Sequence, residues 1–323
     1  MNANITAITL LQISQNLYGW VSLVIFFIGT FGNVLDMILF VRLDSLNTLA
    51  SSLFLFASFI GSQCVMLTGT LLRIIFGLTG YDPLFASIFL CKARWMIGPA
   101  SGAFSLTCVS LAAVDRYLLA RSQYRSKMTL NQARCAIVFA AIVWLGLFSI
   151  YAIYFIAPTS GSCRLVDPIM IQSMPFISFF VYSVIPITVL SILCFMIWHT
   201  LGQLPGTYLH GGHRLHDQIT RMIIAQIIVI IITSLPSAIF SVYTISTRTV
   251  YKSSLRLAQE TLMNTVCVLI GFLTHAIMFY VYLIASPNFY QNVKIMFRVA
   301  YDYIAPLMVR LCAHPRVIFP TIS

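Results

Sequence analysis

Between positions 95 and 114 the chain runs for twenty residues without a charge, with Lys92 and Arg94 just before the run and Asp115-Arg116 just after it. At about 1.5 Å per helical residue, such a run matches a hydrocarbon core of roughly 30 Å. Backbone amides in lipid must find partners within their own segment or barrel, so an uninterrupted run of this length is read as a helix. The stretch 91–117 therefore puts Cys91 at one membrane face and the triplet Asp115-Arg116-Tyr117 at the other.

Six further apolar runs follow the same rule, at 18–41, 49–72, 135–157, 172–198, 219–245 and 260–284. Only 8% of the 323 residues are charged and 59% are hydrophobic, against about a quarter charged in ordinary soluble domains. A soluble globular domain is excluded on those grounds. The net charge of +11 does not point to nucleic acid, because the basic residues sit in short gaps between apolar runs. That pattern fits membrane lipids and cytoplasmic partners. The predicted fold class is all-α membrane: a seven-transmembrane helix bundle, with the N-terminus outside and a short amphipathic eighth helix. The expected organisation is an extracellular segment at 1–17, the bundle at 18–285, and an amphipathic helix with a cytoplasmic tail at 286–323.

Orientation follows from charge. Arg116, Arg121, Arg125, Lys127 and Arg134 cluster around one short connection, opposed only by Asp115, and the positive-inside rule makes that connection cytoplasmic. With seven spans the N-terminus is then outside and the larger share of the 19 Lys and Arg inside. Asn4-Ile5-Thr6 becomes an extracellular glycosylation acceptor pattern at Asn4. Cys91 and Cys163 fall on that same outer side, where a disulfide between them is allowed. A retained first span in the plasma membrane, not a cleaved signal peptide, is expected. The segment 73–90 is read as an outer loop, and 289–299 as a short surface helix along the inner leaflet.

Asp36 is the charged residue set well inside a span. An ionisable group there marks a functional interior by default, or reaches interfacial water near the span's end. Pro175 and Pro186 in the fifth run and Pro236 in the sixth predict bent helices. His210, His213 and His216 are read as part of a solvated connection and not as a metal site. No nucleophile, phosphate loop or metal box stands out, so neither an enzyme nor a cofactor is expected.

Taken together, Gly32-Asn33-Val34 in the first span, Cys91 opening the third, Asp115-Arg116-Tyr117 closing it, Trp144, Pro186, Pro236 and Cys163 resemble the rhodopsin-like (class A) G-protein-coupled receptors over about 18–297. The resemblance implies a Cys91–Cys163 disulfide roofing a ligand cavity. It implies Arg116 as the output switch, held by Asp115 at rest and freed to contact a heterotrimeric G protein when the sixth helix moves. Asn33, Asp36, Pro186, Pro236, His275 and Tyr282 are the expected switch elements of the bundle. Three positions depart from the family. Ser62 stands where a sodium-binding Asp is usual, Ser234 replaces the sixth-helix Trp, and Met278-Phe279-Tyr280-Val281-Tyr282 keeps only the last tyrosine of the usual motif. Asp36, near one face with Asn33, is a candidate substitute for the missing acid, paired with His275 or a hydroxyl of the second span.

Gly98 occupies the amine-anchoring position, which argues against a biogenic amine, and the seventh run has no lysine for a retinal Schiff base. The altered seventh-helix motif and short third inner loop are similar to invertebrate receptors of the FMRFamide-like kind, which implies an extracellular peptide ligand. The basic outer loops favour an acidic or carboxylate-bearing ligand. A transporter or channel using Asp36 and His275, and a receptor-like protein without signalling, are the alternatives.

Overall fold

The computed structural model describes residues 3–42, 46, 48–85, 87–121, 128–156, 163–165, 167–202 and 214–312. Among them, seven helices are long and apolar enough to cross a membrane: Asn4–Arg42, Ala50–Thr79, Ile88–Arg121, Leu130–Tyr154, Pro168–Thr200, Gln218–Ser246 and Ser254–Ala276. Phe27, Phe139, Phe195 and Trp198 stay more than half exposed on their outer faces. Side chains of that size left uncovered fit lipid far better than water.

The helices close a ring. The first packs on the second and seventh, the fifth on the sixth, and the sixth on the seventh. The third lies at the centre, against the second, fourth, fifth and sixth. Small residues permit that crowding: Ala103, Ala112 and Ala113 in the third span are almost wholly buried. The main core runs from Leu39 and Phe59 through Val109 to Ile223, Tyr282 and Phe289.

Boundaries differ from the sequence reading in informative places. Residues 1–17 are expected as a terminal segment, but a helix starts at Ala3 and continues the first span through a π turn at Leu17–Val21. Ser14 Oγ and Thr265 Oγ1, 2.6 Å apart, tie this extension to the seventh span. Asn4 is exposed in its first turn. Further along, Gly19 meets Gly77 backbone to backbone; a Cβ on Gly77 would lie 2.2 Å from the Gly19 nitrogen. Glycine is the residue that admits such an approach.

The supposed loop at 73–90 is a correction. The second helix runs to Thr79 and ends at Gly80, whose φ of +71° makes the left-handed cap and whose N–H donates to Phe76 O at 2.9 Å. Arg73 thus stands on the bundle wall. Its charge had ended the apolar run, yet the apolar residues after it carry the helix onward. Past the connection, the third helix starts at Ile88, and the loop holding Cys163 pairs Phe155 with Leu165 and Ile156 with Arg164 in a two-residue antiparallel ladder.

Asp167 caps the fifth helix, accepting from Ile169 N at 2.9 Å and Met170 N at 3.0 Å, with Pro168 in the first turn. A π turn at Phe180–Val184 ends two residues before Pro186. Proline supplies no N–H to the turn before it and crowds the carbonyl there, and the wider turn accommodates both. The seventh helix also breaks. It ends at Ala276, Ile277 adopts φ −98° and ψ 1°, and a second helix spans Met278–Ala285. The break falls directly before the altered motif, although that motif has lost its proline.

Beyond it, Ser286 Oγ accepts from Phe289 N at 3.3 Å and opens a helix over Pro287–Cys312. This helix is longer than the expected 289–299. Phe289, Val293 and Met296 are buried along one face, and Tyr290, Ile295 and Arg298 are exposed on others. The connection carrying His210 and His213 lies outside the described residues, as do Arg125 and Lys127.

Candidate functional site

Two ends of the bundle and the space between them carry the polar chemistry. At one end Cys91 and Cys163 are disulfide-bonded with their Cα atoms 5.8 Å apart, the pairing the resemblance implied. At the other, Arg116 Nη2 donates to Asp115 Oδ2 at 2.9 Å, and both side chains are buried to within 2% of completely. Asp115 Oδ1 also accepts from Met128 N at 3.2 Å, which ties the start of the fourth helix to the same carboxylate. Tyr117 Oη accepts from Arg121 at 3.2 Å. A buried ion pair that loses one member leaves an uncompensated charge, so Asp115 and Arg116 hold each other while packing keeps water out.

Next to this end, Tyr282 Oη donates to Gln226 Oε1 at 2.5 Å. Tyr282 is fully buried and Gln226 nearly so, and the bond joins the sixth helix to the segment after the seventh. The Tyr282 ring packs edge-on against Phe59 and Phe289, with centroids 6.0 and 5.8 Å away. Gln226 was not singled out in the sequence. The available signal was a lone amide inside the apolar run 222–232.

Midway along the bundle, hydroxyls and an imidazole form a polar row. Ser105 Oγ lies 2.9 Å from Ser58 Oγ and 3.1 Å from Ser62 Oγ, and Ser62 Oγ lies 3.1 Å from His275 Nδ1. This row links the second, third and seventh helices without a formal charge. Asn33 donates to Gln63 at 3.5 Å, and Gln63 to Thr30 at 3.3 Å. The expected pairing of Asp36 with His275 or a second-span hydroxyl is not formed. Asp36 is completely buried, and neither of its oxygens has a hydrogen-bond partner among the described residues. His275 is taken instead by Ser62, and near Asp36 the seventh-helix continuation presents Tyr280 and Tyr282. Trp144, expected only as a family mark, donates from Nε1 to Thr107 Oγ1 at 2.9 Å and holds the peripheral fourth helix to the third.

Between the hydroxyl row and the disulfide end lies a cavity of about 660 Å³. Gly98, Pro99 and Gly102 of the third helix form one wall, and a Cβ on Gly102 would come within 3.3 Å of Tyr182. Tyr182 Oη donates to Pro99 O and ties the fifth helix to that wall. Opposite, Ser234 lines the space where a tryptophan is usual in the resembled family, with its hydroxyl turned back to Ile230 O at 2.7 Å. Pro236 lies in the same helix beside this stretch, its carbonyl 3.6 Å from Cys267 Sγ of the seventh helix. Toward the disulfide end, Arg73 and Arg94 line the cavity. Sequence reasoning placed both among the outer charges and did not bring them together, because the turn between the second and third helices does that.

No protein-family model matches this sequence, and no curated protein matches it.

Proposed function

We propose that the chain is a plasma-membrane receptor of the rhodopsin-like type. It binds an extracellular ligand in the cavity beneath the disulfide and passes the signal to a heterotrimeric G protein at the Arg116 end. The single observation that carries this reading is the buried Asp115–Arg116 pair, set at one end of the central helix and opposite an open-ended cavity that the same helix lines. An arginine kept from water by its neighbour has a stored partner preference that movement of the sixth helix can redirect. Pro186 beside the π turn at Phe180–Val184, Pro236 within the sixth helix and the break at Ile277 are the elements proposed to take two arrangements.

The proposed orientation puts the disulfide in the oxidising compartment and the basic 116–134 connection in the cytoplasm. The terminal helix, with its buried Phe289 face, lies along the inner leaflet in this reading. The cavity accommodates a small molecule or the end of a short peptide, since pockets of roughly 300–1,000 Å³ enclose drug-sized ligands. Ligand binding shifts the bundle only by its differential affinity for the two arrangements.

The test is Arg116→Ala in cells expressing the full chain, read by nucleotide exchange on a panel of G-protein α subunits with surface expression measured in parallel. The expected outcome is loss of exchange with surface expression retained. Exchange equal to that of the unaltered chain would overturn the assignment.

A further inference from the structure

The cavity's charge is one-sided. Among the described residues no acid lines it, whereas Arg73 and Arg94 both do. The outer acids are committed elsewhere. Glu260 is paired with Lys252 and Arg256 and accepts from Tyr243 at 2.9 Å, and Asp167 caps the fifth helix. Asp82 Oδ1 accepts from Leu84 N at 3.0 Å, and although its field reaches both arginines, it forms no ion pair with either.

Both guanidiniums are held in place. Arg73 Cζ lies 5.5 Å from the Tyr18 ring centroid and 5.0 Å from that of Phe272, and Nη1 donates to Gly69 O at 2.9 Å. Arg94 Cζ lies 5.8 Å from the Trp95 ring. Arg73 thus lies over two aromatic rings and Arg94 over one, contacts that orient a guanidinium without neutralising its charge. Both cations line the one cavity, so their positive fields add there. Two cations on a partly apolar wall, with the Asp82 carboxylate as the one acid in range of both, are short of one counter-ion, and a bound monoanion supplies it.

We propose that the cavity takes a monoanionic amphiphile, a carboxylate on a largely apolar body, with Arg73 and Arg94 as the residues that recognise the acid. Two arginines with one acid in range leave a single positive charge, which matches a carboxylate better than a doubly charged phosphate. Arginine presents parallel N–H donors in the geometry a carboxylate accepts. The remainder of the cavity, including Leu106, Phe148, Ile171, Met174 and Phe240, suits the apolar body. This inference rests on the receptor reading only in taking the cavity as the ligand site. It narrows the acidic or carboxylate-bearing ligand that the basic outer loops favour to a small amphiphile held in this cavity, in place of the expected peptide.

The experiment uses the full chain in lipid nanodiscs. The probes are phenyl-terminated alkanoic acids of graded chain length, with the matched primary amides, amines and alkyl phosphates. Thermal stabilisation is followed against probe concentration. Members of the acid series are expected to stabilise at lower concentration than every matched analogue. Arg73→Gln and Arg94→Gln are each expected to weaken the acids about ten- to a hundredfold, the loss of a charge-assisted contact, and to leave the amides unchanged. Arg248→Gln removes an exposed charge outside the cavity lining and is expected to change nothing. Arg73→Lys and Arg94→Lys keep the charge, and partial return of the acid preference separates recognition from a folding defect.

Equal stabilisation by acids and amides, acid preference that survives both glutamine variants, or preference for the phosphates would each overturn the proposal. The readout involves no G protein. A failure here therefore rejects the ligand class alone, whereas unchanged exchange in the Arg116→Ala variant rejects the receptor reading.

Discussion

Tyr282→Phe is the perturbation that most directly tests how the bundle is held closed. The substitution keeps the ring against Phe59 and Phe289 and removes one hydroxyl, the donor to Gln226 Oε1. Gln226 is only 3% exposed, so its oxygen is left without that donor in a place water does not reach. Leaving a buried acceptor unpaired costs about 1–3 kcal/mol. If the sixth helix swings away on activation, Gln226 gains water in the open arrangement, and the cost falls on the closed one alone. The closed-to-open ratio then drops about five- to 150-fold. The assay is ligand-independent nucleotide exchange on purified G protein with the full chain in nanodiscs, for Tyr282→Phe, Gln226→Leu and the double variant. Both single variants are expected to raise basal exchange, and the double variant to raise it by less than the two effects combined, since they remove the same bond. Unchanged basal exchange in Tyr282→Phe, accompanied by a lower melting temperature, would refute the reasoning: the bond would then persist in both arrangements.

Two further outcomes concern stability. Asp36→Leu is expected to raise the melting temperature of the purified chain, corresponding to about 1–3 kcal/mol, because it replaces two fully buried oxygens that are not hydrogen-bonded among the described residues with an apolar side chain of similar size. A fall would show that the carboxylate has a stabilising partner in the membrane. Cys91→Ser is expected to cost about 4 kcal/mol on the chain-entropy account of a loop closed over 72 residues, read by denaturant unfolding under non-reducing conditions against Cys135→Ser, at an exposed free thiol, as the control.

The spans were legible because their signal is local. A run such as 95–114 excludes charge along its whole length, and lipid offers such a backbone no alternative to its own hydrogen bonds. The Asp115-Arg116 pair was legible for a similar reason, since its members are neighbours in the chain. Span ends were read less well where one charge interrupted an apolar run. The charge of Arg73 ends the apolar run of the second span, but its neighbours continue the helix and its guanidinium lies over aromatic rings from the first and seventh helices.

What only the tertiary structure decided is which side chains from different helices meet. Asp36 and His275 looked like partners in the sequence, yet the rotation of the helices gives His275 to Ser62. Gln226 carried no meaning until Tyr282, 56 positions away, was set against it. Arg73 and Arg94 share one cavity because the turn at Gly80 folds the third helix back beside the second. Hydropathy fixes how deep each residue sits in the bilayer. Its bearing about the helix axis depends on how the ridges and small residues of neighbouring helices interlock, and that is a property of the whole bundle.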